Sequence, residues 1–396
     1  MKPHASQQTL LIPAMLDAHF PLMQYAFASR FYRPVILDQG EEVIGLGLRY
    51  AHNDMCFPLA VMVGQMVDAL RSGQYDPART KLLMPTVGDA CRGCNYTDLL
   101  RKSVRKAGFA QTRVLTLNLK HIDSENQMPV TPVMVWRALF SLFYGDLLMM
   151  LVQQVRPYER KKGVTERLRQ KWFAVLAEEL QANRNLSFPA MLRRFRQITQ
   201  SFAEIPRTNE KKQRIALVGE LYTKYCATGN WDIVQFLEDS GCESFTNGLS
   251  WYVLYYIDAQ LVKLPELAAL GYRAVGGVLE LLQKQMVQIM TDAGFFALPP
   301  LHALKREVQD AVRMGASVGD GWLIGLEAAG YLRHGCKKVL AVQPFGCMPN
   351  HIFGRGIYSS LARTLGGQIV SIDTDSSGTR INAYNRAKML IDAELL

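Results

Sequence analysis

Residues 10–37 read LLIPAMLDAHFPLMQYAFASRFYRPVIL, and this stretch sets the fold class. Leu10-Leu11-Ile12-Pro13-Ala14-Met15 is an apolar run of strand length, residues 21–31 are helix-like, and Pro34-Val35-Ile36-Leu37 is a second short apolar run. Strand, helix, strand in this order implies a parallel sheet with helices on its faces. The pattern continues outward. Residues 59–70 read as a helix with Pro58 just inside its start. TKLLMP (Thr80–Pro85) reads as a strand, residues 95–107 as a helix and residues 114–117 as a strand. The first α/β domain is placed at residues 1–125.

Residues 126–212 carry no strand signal. Trp136, Leu139, Phe140, Phe143, Leu147, Leu148 and Leu151 recur at helical spacing, and residues 171–180 and 191–202 continue the pattern. The longest apolar stretch, residues 138–152, is interrupted by Gly145 and Asp146 and is too short to span a bilayer, so it reads as a buried helix and no membrane is expected. A second α/β domain, residues 213–396, has strands at 214–218, 337–343 and 368–372 and helices at 232–239, 261–290, 354–365 and 382–395. The fold class is therefore α/β: two Rossmann-like parallel-sheet domains with an intervening helical segment.

With 49% hydrophobic and 20% charged residues, the 396-residue chain has an ordinary globular balance. MKPHASQQ has no apolar signal region, and seven cysteines in a chain this long fit a reduced cytoplasmic protein better than a disulfide scaffold. The net charge of +10 is concentrated: between Arg156 and Arg214, fifteen Lys and Arg face six Glu. Such a block can meet nucleic acid, a phosphate-bearing cofactor such as coenzyme A, an acidic protein, or only solvent. No aromatic-and-basic RNA motif or zinc-finger spacing accompanies it, so nucleic acid is not expected.

Three cysteines sit just ahead of predicted helices, in HNDMCFP (Cys56), GDACRGCNY (Cys91) and QPFGCMPNH (Cys347). A helix start offers unpaired N–H groups and a positive dipole end, both of which favour thiolates. Cys91 and Cys347 also follow strands, on the side where open α/β sheets bind ligands. Cys226, Cys242 and Cys336 read as buried and inert. Cys94 makes a C-x-x-C with Cys91. Four thiolates suit zinc or a closed [4Fe–4S] cluster; with Cys94 a bystander, one iron is left open to other ligands.

These phrases together resemble the 2-hydroxyacyl-CoA dehydratase D-component family, and most closely the carboxy-terminal part of large acyl-CoA dehydratase activase-related proteins. The resemblance rests on LLIPAM with His19, HNDMCFP with Gly64-Gln65, residues 83–96 with Arg101-Lys102, and Gly145-Asp146-Leu147-Leu148. It continues through Arg156-Pro157-Tyr158-Glu159, Val218-Gly219-Glu220, Gly319-Asp320-Gly321-Trp322, FGCMPNHIFGRG and IDTDSSGTRINAYNRAKML. The chain departs from the family pattern at Val87 and Asp89, at Cys94 where Ser is common, and at Asp320 where Glu is usual.

The resemblance implies that Cys56, Cys91 and Cys347 ligate an iron–sulfur cluster, [4Fe–4S] or, across two subunits, a double-cubane type. It implies a separate ATP-dependent activase or other electron donor, since no Walker-type phosphate loop occurs here. It further implies a CoA-thioester or other small substrate, dehydrated or reduced by radical chemistry, and a homo- or heterodimer. In that setting Glu220 is a candidate acid/base, and His52 and His351 are candidate proton shuttles or ligands. Asn53, Pro58, Arg92, Asn95, Tyr96, Gly346, Pro349 and Asn350 flank the cysteines as cluster neighbours. The basic segment, with Arg193, Arg194 and Arg196, becomes a docking surface for the donor or a site for coenzyme A phosphates. The competing reading is a non-catalytic electron relay or a zinc-stabilised binding subunit.

Overall fold

Leu10, Leu11 and Ile12 are fully buried because β1 (Gln8–Ile12) lies inside a sheet covered on both faces. That is why its sequence is a continuous apolar run rather than an alternating one. The computed structural model describes residues 7–38, 40–52, 55–86, 91–117, 126–376 and 379–394. β1, β2 (Tyr32–Ile36), β3 (Thr80–Pro85) and β4 (Arg113–Leu117) form an all-parallel sheet in the order β2-β1-β3-β4. β5 (Gln213–Gly219), β6 (Cys242–Thr246), β7 (Lys338–Pro344) and β8 (Gln368–Thr374) form a second, in the order β6-β5-β7-β8. The protein is α/β with two Rossmann-like parallel sheets of equivalent strand order. Each order reverses direction once, between β1 and β3 and between β5 and β7, and these reversals mark the crevices where such sheets bind ligands.

Between the sheets in sequence lie helices Pro132–Val155, Val164–Ala182 and Phe188–Ala203. The first is the centre of the core: Phe140, Phe143, Leu147, Leu148 and Leu151 are fully buried. Residues 132–158 are long and apolar enough to cross a membrane, yet two thirds of the apolar window is buried inside the protein, as a core helix requires.

Several elements differ from the sequence reading. β6 (CESFT) carries little apolar signal; its Glu243 is buried because Tyr158 and Arg214 bond its carboxylate at 3.0 and 3.2 Å. The helix predicted at 261–290 begins at Glu266, with Pro265 at its N-cap, and a separate helix, Leu249–Leu261, that the sequence reading passed over precedes it. Gly321–Arg333, buried from Gly321 to Leu332, is a helix that the sequence reading passed over.

A buried polar knot ties the halves together. Asp146, mid-helix and fully buried, accepts His19 Nε2 at 2.8 Å, Leu249 N at 2.5 Å and Ser250 N at 2.9 Å. It thereby joins the loop after β1 to the start of a helix in the second half. A Cβ on Gly145 would lie 2.3 Å from the His19 ring, and one on Gly248 would lie 2.5 Å from the Asp146 carboxyl.

Gly219 ends β5 at φ +133°, in the region that favours glycine, and a Cβ there would lie 1.9 Å from Val342 O. The turn lets Glu220 N (3.0 Å) and Thr223 Oγ1 (3.1 Å) share that carbonyl. Gly219→Ala is expected to destabilise the fold by about 3 kcal/mol. Urea unfolding checks this, and an unchanged midpoint would contradict the packing described.

Candidate functional site

Glu220 follows β5 and caps the helix Leu221–Tyr225, its Oε2 accepting Thr223 N at 3.0 Å. Asp320, buried, starts the helix Gly321–Arg333. Cys347 follows β7 and precedes a π-helical turn, Asn350–Arg355. Asn350 is fully buried and bridges two of these groups: its Nδ2 donates to Asp320 Oδ2 at 2.9 Å and to Cys347 Sγ at 3.4 Å. Pro349 packs on Gly319, where a Cβ would lie 2.8 Å from the proline Cγ, so the Cys347 and Asp320 loops are locked together.

The first half supplies the other two cysteines. Cys56 caps the helix Phe57–Arg71, with Pro58 in its first turn, and Cys91 caps the short turn Arg92–Asn95 that leads into Tyr96–Lys106. Burial pushes the Cys56 thiol up, against the opposing pull of a Tyr96 hydrogen bond and the Arg92 charge, with Glu220 adding to the rise. Burial also raises Cys91, against an N–H bond from Gly93, and Asp320, Cys94 and Cys56 add to it. Cys347 is raised by burial and then by Glu220 and Asp320, against bonds from Asn350 N–H and its side chain. Loops from both halves thus converge on one buried carboxylate pair, with all three thiols within its field.

The carboxylates are perturbed the same way. Burial raises Glu220 despite its Thr223 and Tyr222 backbone bonds. Burial, then the neighbouring Glu220, pushes Asp320 up to about 7, despite the Asn350 bond and the Lys224 charge. Two acids forced together out of water hold a proton near neutrality. The folded chain therefore binds more protons than the unfolded chain between the ordinary carboxylate range, about pH 4, and about pH 7, and stability falls as pH rises through that window. Asp320→Asn, which can still accept from Asn350, is expected to flatten this decline and to stabilise the apoprotein at the alkaline end. Melting temperature against pH for both proteins checks this; parallel curves would contradict it.

The remaining expected site residues divide. Tyr96 bonds Cys56 and lies in the group, its hydroxyl held well above its usual range by burial. Arg92 is exposed but acts on Cys56. Cys94 and Asn95 are exposed on the same turn, and Gly346 (φ +70°) supplies the bend before Cys347. His351 turns its Nδ1 to Cys347 O at 2.8 Å and its Nε2 toward Asp373 at 3.5 Å, so it braces the loop. His52 is exposed, with its own partner. Asn53 lies outside the described residues. The N–H groups that meet sulfur belong to Gly93 and Asn350, one residue beyond the expected Arg92 and Pro349. Asp320 is the residue that the reading missed as a site group; its signal, a buried acid at a helix start, exists only in three dimensions.

As a donor set for an iron–sulfur group, these residues fit in kind: three free thiols, two of them met by N–H donors and Cys56 by the Tyr96 hydroxyl, and a buried Asn350 Oδ1 without a partner. Among the described residues, no three His, Cys, Asp or Glu are grouped so as to hold a single metal ion.

The basic segment is neutralised only in part: among the described residues six of its fifteen cations form ion pairs. Arg156 pairs with Glu238, Arg169 with Glu166, Arg184 with Glu178 and Arg194 with Glu179. Arg193 and Arg196 are exposed and form no ion pair among the described residues. A cleft of about 230 Å³ is lined by Asp17, Arg156, Glu166, Arg169, Lys224 and Asp232 among others; none of the three site cysteines lines it. A scan against protein-family models and a search of curated proteins find no match to this chain.

Proposed function

We propose that this chain is an iron–sulfur redox protein resembling the 2-hydroxyacyl-CoA dehydratase D-components. In this reading Cys56, Cys91 and Cys347 hold the cluster, and a separate ATP-dependent activase or another electron donor reduces it. The observation that carries the proposal is the convergence of three partly buried thiols from two halves on the Glu220–Asp320 pair, Cys91 and Cys347 bonded by N–H groups and Cys56 by the Tyr96 hydroxyl. Zinc is the poorer fit. Its fourth thiolate would have to come from Cys94, which is exposed at the outer edge of its turn.

When bound, such a cluster supplies one-electron reduction at low potential. The chain's residues do the rest. Partial burial limits water at the thiols, Gly93 and Asn350 N–H groups stabilise negative sulfur, and Tyr96 orients Cys56. Glu220 and Asp320 hold a proton beside the redox site for transfer to or from a small substrate, which favours an enzyme over a bare relay. Exposed Phe345, Met348 and Ile352 form an apolar rim around the Cys347 loop where a donor can dock. The cytoplasm, where thiols stay reduced, suits this chemistry.

Anaerobic purification with iron, sulfide and zinc assays, followed by EPR of the dithionite-reduced protein, tests the proposal. A brown, oxygen-bleached protein with a cluster signal is expected. A colourless protein with stoichiometric zinc, or one that takes up no iron on reconstitution, would sink it.

A further inference from the structure

Helix Glu266–Asp292 lays one face on the helices Leu249–Leu261, Phe188–Ala203 and Pro132–Val155, burying Ala269, Gly276, Leu279, Leu282 and Met286. Its opposite face, over residues 267–281, is apolar and bare. Leu267 is 88% exposed, Leu270 64%, Val275 55% and Leu281 59%. The only charged side chains in the stretch are Arg273 and Glu280, and Glu280 is turned onto His302 at 2.7 Å.

Two independent properties identify what covers this face. The first is its symmetry. Leu267, Leu270, Ala274, Gly277 and Leu281 follow the three-four spacing of a helix-pairing seam. Read outward from Ala274, the seam positions mirror one another, Gly271 with Gly277, Leu270 with Val278 and Leu267 with Leu281, while the exposed pair flanking the seam, Arg273 and Val275, does not. The buried positions Ala269 and Leu279 mirror one another too. A surface that is its own reverse complement is what an isologous two-fold contact requires.

The second is its glycines. A glycine inside a helix weakens it relative to alanine. Gly276 has a reason within the chain, because a Cβ there would press on Ile257 at 3.3 Å. Gly271 and Gly277 have none: a Cβ at either would meet nothing within 4 Å. Outward-facing small residues at this spacing allow a second helix backbone to approach closely.

We propose that this face is the two-fold interface of a homodimer, an antiparallel helix pair centred on Ala274. Leu267 of one protomer packs against the partner's Leu281, Leu270 against the partner's Val278, and the glycines bring the two backbones together. The seam is about 21 Å long, small beside the roughly 800 Å² per partner of a standard interface, so the dimer dissociates on dilution. None of the four helices involved carries a cysteine. The inference is thus independent of the iron–sulfur reading and survives its failure.

Sedimentation velocity on the full chain over a hundredfold concentration range tests the proposal. A reversible monomer–dimer equilibrium is expected. Ala274→Arg, which sets two like charges at the two-fold axis, shifts it at least tenfold toward monomer with an unchanged melting temperature. Register is tested by mixing Leu267→Cys chains with Leu281→Cys chains under mild oxidation. The mixture is expected to cross-link above the level of either variant alone. A monomer at every concentration overturns the proposal, and its co-sedimentation with phosphatidylcholine vesicles would assign the face to lipid. A dimer that Ala274→Arg leaves intact also overturns it.

Discussion

Replacing Cys347 by alanine is expected to reduce bound iron and sulfide to background, although Cys347 stands in the opposite half of the molecule from Cys56 and Cys91. Each of the three thiols sits in its own loop, after β7, ahead of the helix Phe57–Arg71 and after β3, and each is desolvated within the field of the same carboxylate pair. Removing one thiolate leaves a hole that neither water nor a neighbouring carboxylate fills with comparable softness. Cys56→Ala and Cys91→Ala are expected to behave in the same way. Cys94→Ala is expected to retain most of the iron, because its side chain is exposed at the outer edge of the turn that Cys91 begins. Iron and sulfide counts on anaerobically reconstituted variants, with melting curves to show that each folds, decide the matter. Iron loss in Cys94→Ala with retention in Cys347→Ala would reassign the site to the C-x-x-C alone and remove the second half from it.

The largest effect on stability is expected at the ion pair behind the site. Lys224 Nζ lies 3.0 and 2.9 Å from the two Glu327 oxygens, and the side chains are 2% and 1% exposed. Asn247 adds a long bond of 3.5 Å to the carboxylate, and the Tyr225 ring lies 4.6 Å from the ammonium. Lys224→Met leaves Glu327 charged in a dry interior and is expected to cost about 3–5 kcal/mol. The double variant Lys224→Met/Glu327→Leu removes both charges and is expected to recover most of that loss, since a well-packed apolar pair often matches a buried ionic one. Urea denaturation of the wild type, Lys224→Met, Glu327→Leu and the double variant gives the coupling directly. Lys224 also pulls down the Glu220 and Asp320 carboxyls, so its loss drives both further up. If the single and double variants are equally unstable, the pair is not what Lys224 contributes.

The layers of the fold were legible where burial makes sequence monotonous. β1, β3, β5 and β7 are central strands, and their runs LLI, LLM, IALV and VLAV announce themselves. Edge strand β6 does not, because Glu243 is buried through partners 85 and 29 residues away in sequence, Tyr158 and Arg214. The cysteine loops were legible as strand-to-helix or helix-start turns. Their meeting was not, since nothing local brings residue 347 to residues 56 and 91. Asp320 escaped for the same reason: an acid at a helix start reads as an ordinary cap until Asn350 and Glu220 are seen against it. Conversely, His19 and Gly145-Asp146, which help carry the family resemblance, serve here as a joint between halves rather than as chemistry.

The knot at Asp146 has a consequence for biogenesis. His19 is made before Asp146, but Asp146 finds its full set of donors only once Leu249 and Ser250 have followed, and Cys347 follows later still. The amino-terminal sheet can form during translation, yet its two cysteines must wait, solvent-accessible and oxidisable, for most of the remaining chain. Any prosthetic group held by all three thiols can therefore be loaded only after residue 347 has been made, and a nascent chain stalled before Cys347 is the form most exposed to oxygen.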